Sequence, residues 1–219
     1  MLLSIIRQNQ KLAAKRNPAF DRNRFAKFLI YFMVAFWAAY LIFIGVMLSF
    51  AFEDIFPSME PYHIMNQGLI YLLILDFLLR FMLQPAMSQE IKPYLLMPIK
   101  KNKLVDTLLL QSGISSYNFF WFFLIVPFAL LTIIRFYGFT GILCYLCGIW
   151  LLMAMNSYWY LICKTLLNEK LLYILLPIGV YGLLAGTEFI PEGNPVSTFM
   201  MNLGEGFIDC LLYTSPSPR

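Results

Sequence analysis

Phe28 to Phe52 runs for 25 residues without a single charged side chain. An α-helix of that length rises far enough to cross the hydrocarbon of a bilayer with some tilt. A soluble domain has no use for such a segment, and the rest of the chain repeats the theme. Of 219 residues, 60% are hydrophobic, 17% aromatic and only 13% charged, about half the roughly 25% charged content of soluble domains. The formal net charge of +4 could suggest nucleic acid, but the basic residues fall in short clusters between apolar runs, as membrane topology requires. Nucleic acid is therefore not an expected partner; the lipid bilayer is.

Further apolar runs follow at about Ile64–Leu83, Leu104–Ile134, Phe139–Cys163 and Leu171–Thr187. Pro127 predicts a kink in the third, and the fifth is short and holds Pro177. From Glu188 the chain reads as an acidic loop. Before the first run, Leu2, Ile5, Ile6, Leu12 and Ala13 recur at helical spacing with Arg7, Lys11 and Lys15 opposite, which predicts an amphipathic helix lying in the membrane interface. Asn17-Pro18 then breaks it. The expected fold is all-α: a polytopic membrane protein with an N-terminal interfacial helix and about five transmembrane helices.

Lys and Arg number seven in residues 1–27, none in 53–63, four in 84–103, one in 135–138, two in 164–170 and none in 188–209. The positive-inside rule then puts the N-terminus in the cytoplasm and the 53–63 and 188–209 segments outside. The last ten residues, Cys210 to Arg219, read as an in-frame translation of a transposase-type sequencing adapter. Residues 1–209 are thus expected to be the N-terminal part of a longer membrane permease-like domain, with 210–219 not native.

Catalytic signatures are scarce. His63 is the one histidine, and neither a Gly-x-Ser-x-Gly elbow nor a phosphate-binding glycine loop occurs. Neither enzymatic activity nor a metal or other cofactor is expected. Cys144 and Cys147 form a C-x-x-C inside an apolar run, where the spacing places two small side chains on one helix face. Asp76 and Arg80 are more informative. They sit four apart in the second run, acid before base, as a helical ion pair prefers. They read either as a pair at the membrane edge with Arg80 snorkelling to water or as part of a transport path; on both readings their face points inward. The third run opens with Gln111, Ser112, Ser115 and Asn118 before turning aromatic. Such residues bond across helix interfaces or line a substrate route, with Asn156, Ser157 and Thr165 as candidate partners from the fourth run.

The connection from Gln84 to Lys103 is not a plain solvated loop. Pro93 and Pro98 frame an apolar centre of Tyr94, Leu95, Leu96 and Met97, and Lys100, Lys101 and Lys103 follow. Its composition fits docking on a partner or resting on headgroups equally well.

The stretch Leu79–Gln84, the run Ile91-Lys92-Pro93-Tyr94-Leu95-Leu96-Met97-Pro98-Ile99-Lys100, the Gln111-Ser112 and Asn118 region and Pro127-Phe128 together resemble a family of bacterial integral membrane proteins regarded as permease-like components of ABC exporters. The resemblance implies a type-2 exporter permease in the bacterial inner membrane, working with a separate ATP-binding cassette subunit and leaving homo-oligomerisation open. Residues 1–16 take the place of that class's N-terminal amphipathic helix. Residues 88–103 take the place of its ATPase-docking segment, with Ile91, Lys92, Pro93, Tyr94, Leu95, Leu96, Pro98, Lys100 and Lys101 as the coupling residues. The expectations outside this class are a membrane scaffold or assembly factor without transport, and an ion-coupled secondary transporter using Asp76.

Overall fold

The computed structural model describes residues 24–84, 101–187 and 194–209, with Ile6, Gln8, Asn9 and Leu12 as isolated helical positions. All its described regular structure is helical. Helix α1 spans Arg24–Ile55, α2 Pro61–Leu83, α3 Lys101–Gly113, α4 Ser116–Phe120 and α5 Phe122–Glu169; after a 3-10 turn at Leu171–Ile174 come α6, Leu175–Gly186, and α7, Pro195–Asp209.

Among the described residues, three helices are long and apolar enough to cross a membrane: Lys27–Ile55, Pro61–Leu83 and Tyr137–Glu169. A fourth crossing is counted if Asn102–Phe120 and Phe122–Arg135, bent by 64°, form one span. These helices mark the chain as a membrane protein. The expected interfacial helix lies outside the described residues apart from its four isolated positions. The fifth expected span, about Leu171–Thr187, corresponds to a shorter apolar helix, Leu171–Gly186.

Helix α5 is two arms in one. Gly138 has φ 66 and ψ −168, a combination open only to glycine, so the chain reverses there. The first arm, Phe122–Arg135, runs beside α1: Gly45 lies against Leu124 and Glu53 pairs with Arg135 at 2.8 Å. The second arm, Tyr137–Glu169, runs parallel to α2, with Tyr145 meeting Asn66, Asn156 meeting Asp76 and Tyr160 meeting Gln84. Helix α2 thus sits between both arms. It buries Tyr62, Met65, Asn66, Leu69, Ile70, Leu73, Asp76, Phe77 and Arg80, a three-and-four spacing that draws one stripe along the helix.

Pro127 lies inside α5, and a sharp turn of the third run comes before it, around Ile114–Trp121. There Asn118 Nδ2 donates to the carbonyls of Ser112 (3.2 Å) and Gly113 (2.5 Å). These are carbonyls that the end of a helix leaves unpaired, and a side-chain amide that fills them stabilises the end over continuation.

Residues 194–209, expected as a loop, are corrected to a helix, Pro195–Asp209. Val196, Met200, Leu203 and Phe207 recur at helical spacing and pack on the main core, which composition alone concealed. Asn194 caps the helix, its Oδ1 accepting from Val196 N and Ser197 N, with Pro195 next in line. Asn194 Oδ1 also accepts from Thr187 Oγ1 at 3.1 Å, so α7 starts where α6 stops. Tyr181 of α6 lies at the depth of Asn156, whereas Met201 and Glu205 of α7 reach Gln67 and His63. The two short helices therefore run in series, from the Gln84 end of the bundle to the Glu60 end.

Candidate functional site: a buried polar network

The buried stripe of α2 ends in Asp76 and Arg80, 3% and 1% exposed. Arg80 Nε donates to Asp76 Oδ2 at 2.7 Å, closing the i, i+4 pair. Two further donors reach the same carboxylate from other elements: Trp121 Nε1 bonds Oδ1 at 2.9 Å and Asn156 Nδ2 bonds Oδ2 at 2.8 Å. Arg80 Nη2 donates to Asn118 Oδ1 at 2.7 Å. Burying an ion pair costs several kcal/mol in desolvation, and excellent geometry with extra hydrogen bonds is what offsets it. Asp76 meets that condition with three donors. Arg80 meets it in part, since Nη1 is buried without a partner.

The network widens from this centre. Asn156 Nδ2 also bonds the Leu73 carbonyl, and its Oδ1 accepts from Tyr181 at 2.7 Å. Ser112 and Ser157 share a 2.9 Å hydroxyl contact, and Asn118 carries the connection onward to the end of α3. Helices α2, α3, α4 and α6 and the second arm of α5 thus meet through one set of polar side chains. The indole of Trp121, at the junction of α4 and α5, completes it.

The expected inward face of α2 is what the structure places there. Snorkelling by Arg80 is corrected: the guanidinium turns into the bundle because Asp76 and Asn118 are both within reach of it. Of the polar residues singled out in the sequence, Asp76, Arg80, Asn118 and Asn156 are in direct contact, and Ser112 joins through Ser157 and through its carbonyl. Ser115 stands at the break before α4, half-buried, and Gln111 is half-buried on α3. Thr165 is not a partner; its Oγ1 bonds the Leu161 carbonyl of its own helix. Trp121 and Tyr181 were not anticipated, since each sits in an apolar run and reads as bulk. The signal that could have found them is Asp76 itself, a buried carboxylate that must recruit donors.

At the opposite end, His63 Nδ1 lies 2.9 Å from Glu205 Oε1 and Nε2 lies 3.7 Å from Glu60 Oε2, while Tyr62 and Tyr137 share a hydroxyl contact of 3.1 Å. This cluster ties α7 to α2. Among the described residues no group of three or more His, Cys, Asp or Glu could hold a metal ion. Cys144 is half-buried and Cys147 exposed, and neither is in a disulfide among the described residues.

The residues expected to dock a partner, Ile91, Lys92, Pro93, Tyr94, Leu95, Leu96, Pro98 and Lys100, lie outside the described residues; Lys101 opens α3. Cys210 to Arg219 also lie outside them.

What the network can do chemically is hold. Every strong acceptor is filled and the charges cancel in a pair, so it joins the ends of α2 and α3 to the long second arm of α5. No curated protein and no solved structure matches the chain. A family of unknown function, DUF5687, matches it over residues 10–215, nearly its whole length, and the chain belongs to that family.

Proposed function

We propose that this chain is the membrane-spanning, permease-like subunit of an ATP-driven, ABC-type exporter in the bacterial inner membrane. ATP hydrolysis takes place on a separate ATP-binding cassette subunit, which docks on residues 88–103. The observation that supports this reading is the Arg80–Asn118 bond, at 2.7 Å and fully buried. It links α2 and α4, on either side of the 85–100 connection, so a displacement received by that connection moves both together. Asp76 argues against ion coupling, because a carboxylate already holding three protein donors, one of them the Arg80 cation, has little to offer a passing ion.

On this reading the chain crosses the bilayer five times: α1, α2, the bent α3–α4–α5 first arm, the second arm of α5, and α6 with α7 in series. The last pair holds 12 and 15 residues, about 40 Å of helix at 1.5 Å per residue, ample for a hydrocarbon core of about 30 Å. The N-terminus is cytoplasmic, preceded into the first crossing by the interfacial helix, and the Glu60 end faces outward.

The test is affinity isolation of the chain from native membranes. An ATP-binding subunit should co-purify, and Tyr94→Asp or Leu95→Asp should strip it away at equal expression. A buried interface anchor costs about 2 kcal/mol or more when lost, roughly 30-fold in affinity. Repeated isolation without any ATP-binding subunit overturns the exporter reading in favour of a scaffold. Unchanged retention in both variants withdraws the docking segment.

A further inference from the structure

The end of α2 leaves its last carbonyls without helical partners, as every helix does. Here a neighbouring helix fills them. Tyr160 OH donates to the Gln84 carbonyl at 2.6 Å, and Lys164 Nζ donates to the carbonyls of Gln84 (2.5 Å) and Phe81 (3.0 Å). The same ammonium lies over the rings of Phe81 and Tyr160, 5.3 and 5.2 Å from their centroids. A cation set against a helix C-terminus complements the helix dipole. A lysine near the end of an apolar helix would otherwise extend its stem toward water. Lys164 turns back to main-chain oxygens of α2 instead.

The end of α3, the helix that follows the connection, is held by the same stretch of helix. Ser157 bonds Ser112 at the end of α3, and Tyr158 stands so close to Gly113 that a Cβ there would fall 2.7 Å from its hydroxyl. From Ser157 to Lys164 is about 10 Å along the helix axis. The chain leaves α2, and α3 ends, against these two turns of the second arm of α5.

We infer that Lys164, with Tyr160, is a positioning residue for energy coupling: it fixes the point at which the 85–100 connection leaves α2, so that displacement of the connection is delivered to the second arm of α5. The role rests on the exporter reading above, but the anchor does not, and the test separates them.

The experiment compares wild type, Lys164→Met, Lys164→Arg and Tyr160→Phe as full chains in detergent. The first measurement is the rate of tryptic cleavage after Lys100, Lys101 and Lys103. Charge-assisted hydrogen bonds that hold the end of α2 in place limit the open population of that end, and cleavage just beyond it follows that population when reclosing is fast. Lys164→Met, which keeps the stem and removes the donors, should raise the rate about tenfold or more. Tyr160→Phe, which removes one neutral donor, should raise it by a factor of a few, and Lys164→Arg should restore it. The second measurement is ATP hydrolysis by the co-purified subunit, which in Lys164→Met should remain bound yet hydrolyse at the rate of the subunit alone. Cleavage at the wild-type rate in both Lys164→Met and Tyr160→Phe, or faster cleavage that Lys164→Arg fails to reverse, overturns the anchor. A subunit in Lys164→Met that still responds as in wild type overturns the coupling role. Absence of any ATP-binding subunit in the wild-type preparation overturns the exporter reading alone.

Discussion

Helices α1 and α2 both pass for membrane spans, yet they are used in opposite ways. In the apolar window of α1, 11% of residues are buried within the protein; in that of α2, 44% are. The purely apolar helix is the one left outside. Its first half, from Phe28 to Tyr40, exposes Phe28, Tyr31, Phe32, Phe36, Trp37 and Tyr40, whereas Leu41, Ile44, Gly45, Leu48, Ser49 and Phe52 in its second half turn toward the bundle. Helix α2, carrying an acid, a base and an asparagine, turns all three into the bundle. In lipid the usual sorting rule is relaxed, because hydrocarbon accepts leucine and phenylalanine as readily as a protein core does. Polar side chains decide instead, since they must find partners inside the protein.

That contrast can be broken at its strongest point. Asp76→Ala leaves Arg80 as an uncompensated buried charge and frees donors on Trp121 and Asn156. Removing one member of a buried ion pair costs about 3–5 kcal/mol, so the thermal unfolding midpoint in detergent should fall by more than for any other single substitution named here. A double variant, Asp76→Leu with Arg80→Met, should recover much of the loss. A drop of under about 1 kcal/mol for Asp76→Ala would mean that the network does not hold α2 in place.

A smaller effect is expected where α1 does touch the bundle. Gly45 is that point: a Cβ there would lie 2.3 Å from the Leu124 carbonyl oxygen and 3.0 Å from Pro127 Cγ. Gly45→Leu overpacks the contact and should cost about 1–3 kcal/mol, read by the same unfolding assay. Neutral behaviour would show that α1 is not seated against the first arm of α5. The smallest effect belongs to the free half of α1. Phe36→Leu alters an exposed side chain with no polar partner and should stay within about 0.5 kcal/mol of wild type. A large loss there would reveal a protein surface covering α1, and the contrast with α2 would have to be redrawn.

Much of the site was legible because charge and amide groups are conspicuous in an apolar chain. Asp76 and Arg80 at i, i+4, and Asn118 and Asn156 in other runs, could be named as inward-facing without coordinates. Their mutual bonds could not, since α2 and α5 are brought together across 80 residues of sequence, as the Asn156 to Asp76 contact requires. Trp121 and Tyr181 escaped for a related reason: an aromatic ring in an apolar run satisfies the hydrophobic pattern, and its single polar atom acquires meaning only when an acceptor stands opposite. Helix α7 was lost to composition, its prolines, glycines and acids outweighing an apolar stripe of four residues.

Length and apolarity by themselves determined that the chain is helical and where its long helices lie, because a backbone in lipid must satisfy its hydrogen bonds within the segment. They also fixed which residues could not face lipid. The sequence already parted the third and fourth runs at residues 135–138, where Gly138 takes a positive φ and the chain reverses; only the tertiary structure decided the other breaks, before α4, where Asn118 takes over the carbonyls of α3, and between α6 and α7, where Asn194 caps one helix against the end of the other. Both of these depend on a side chain placed by neighbours distant in sequence, and periodicity within a segment carries no record of them.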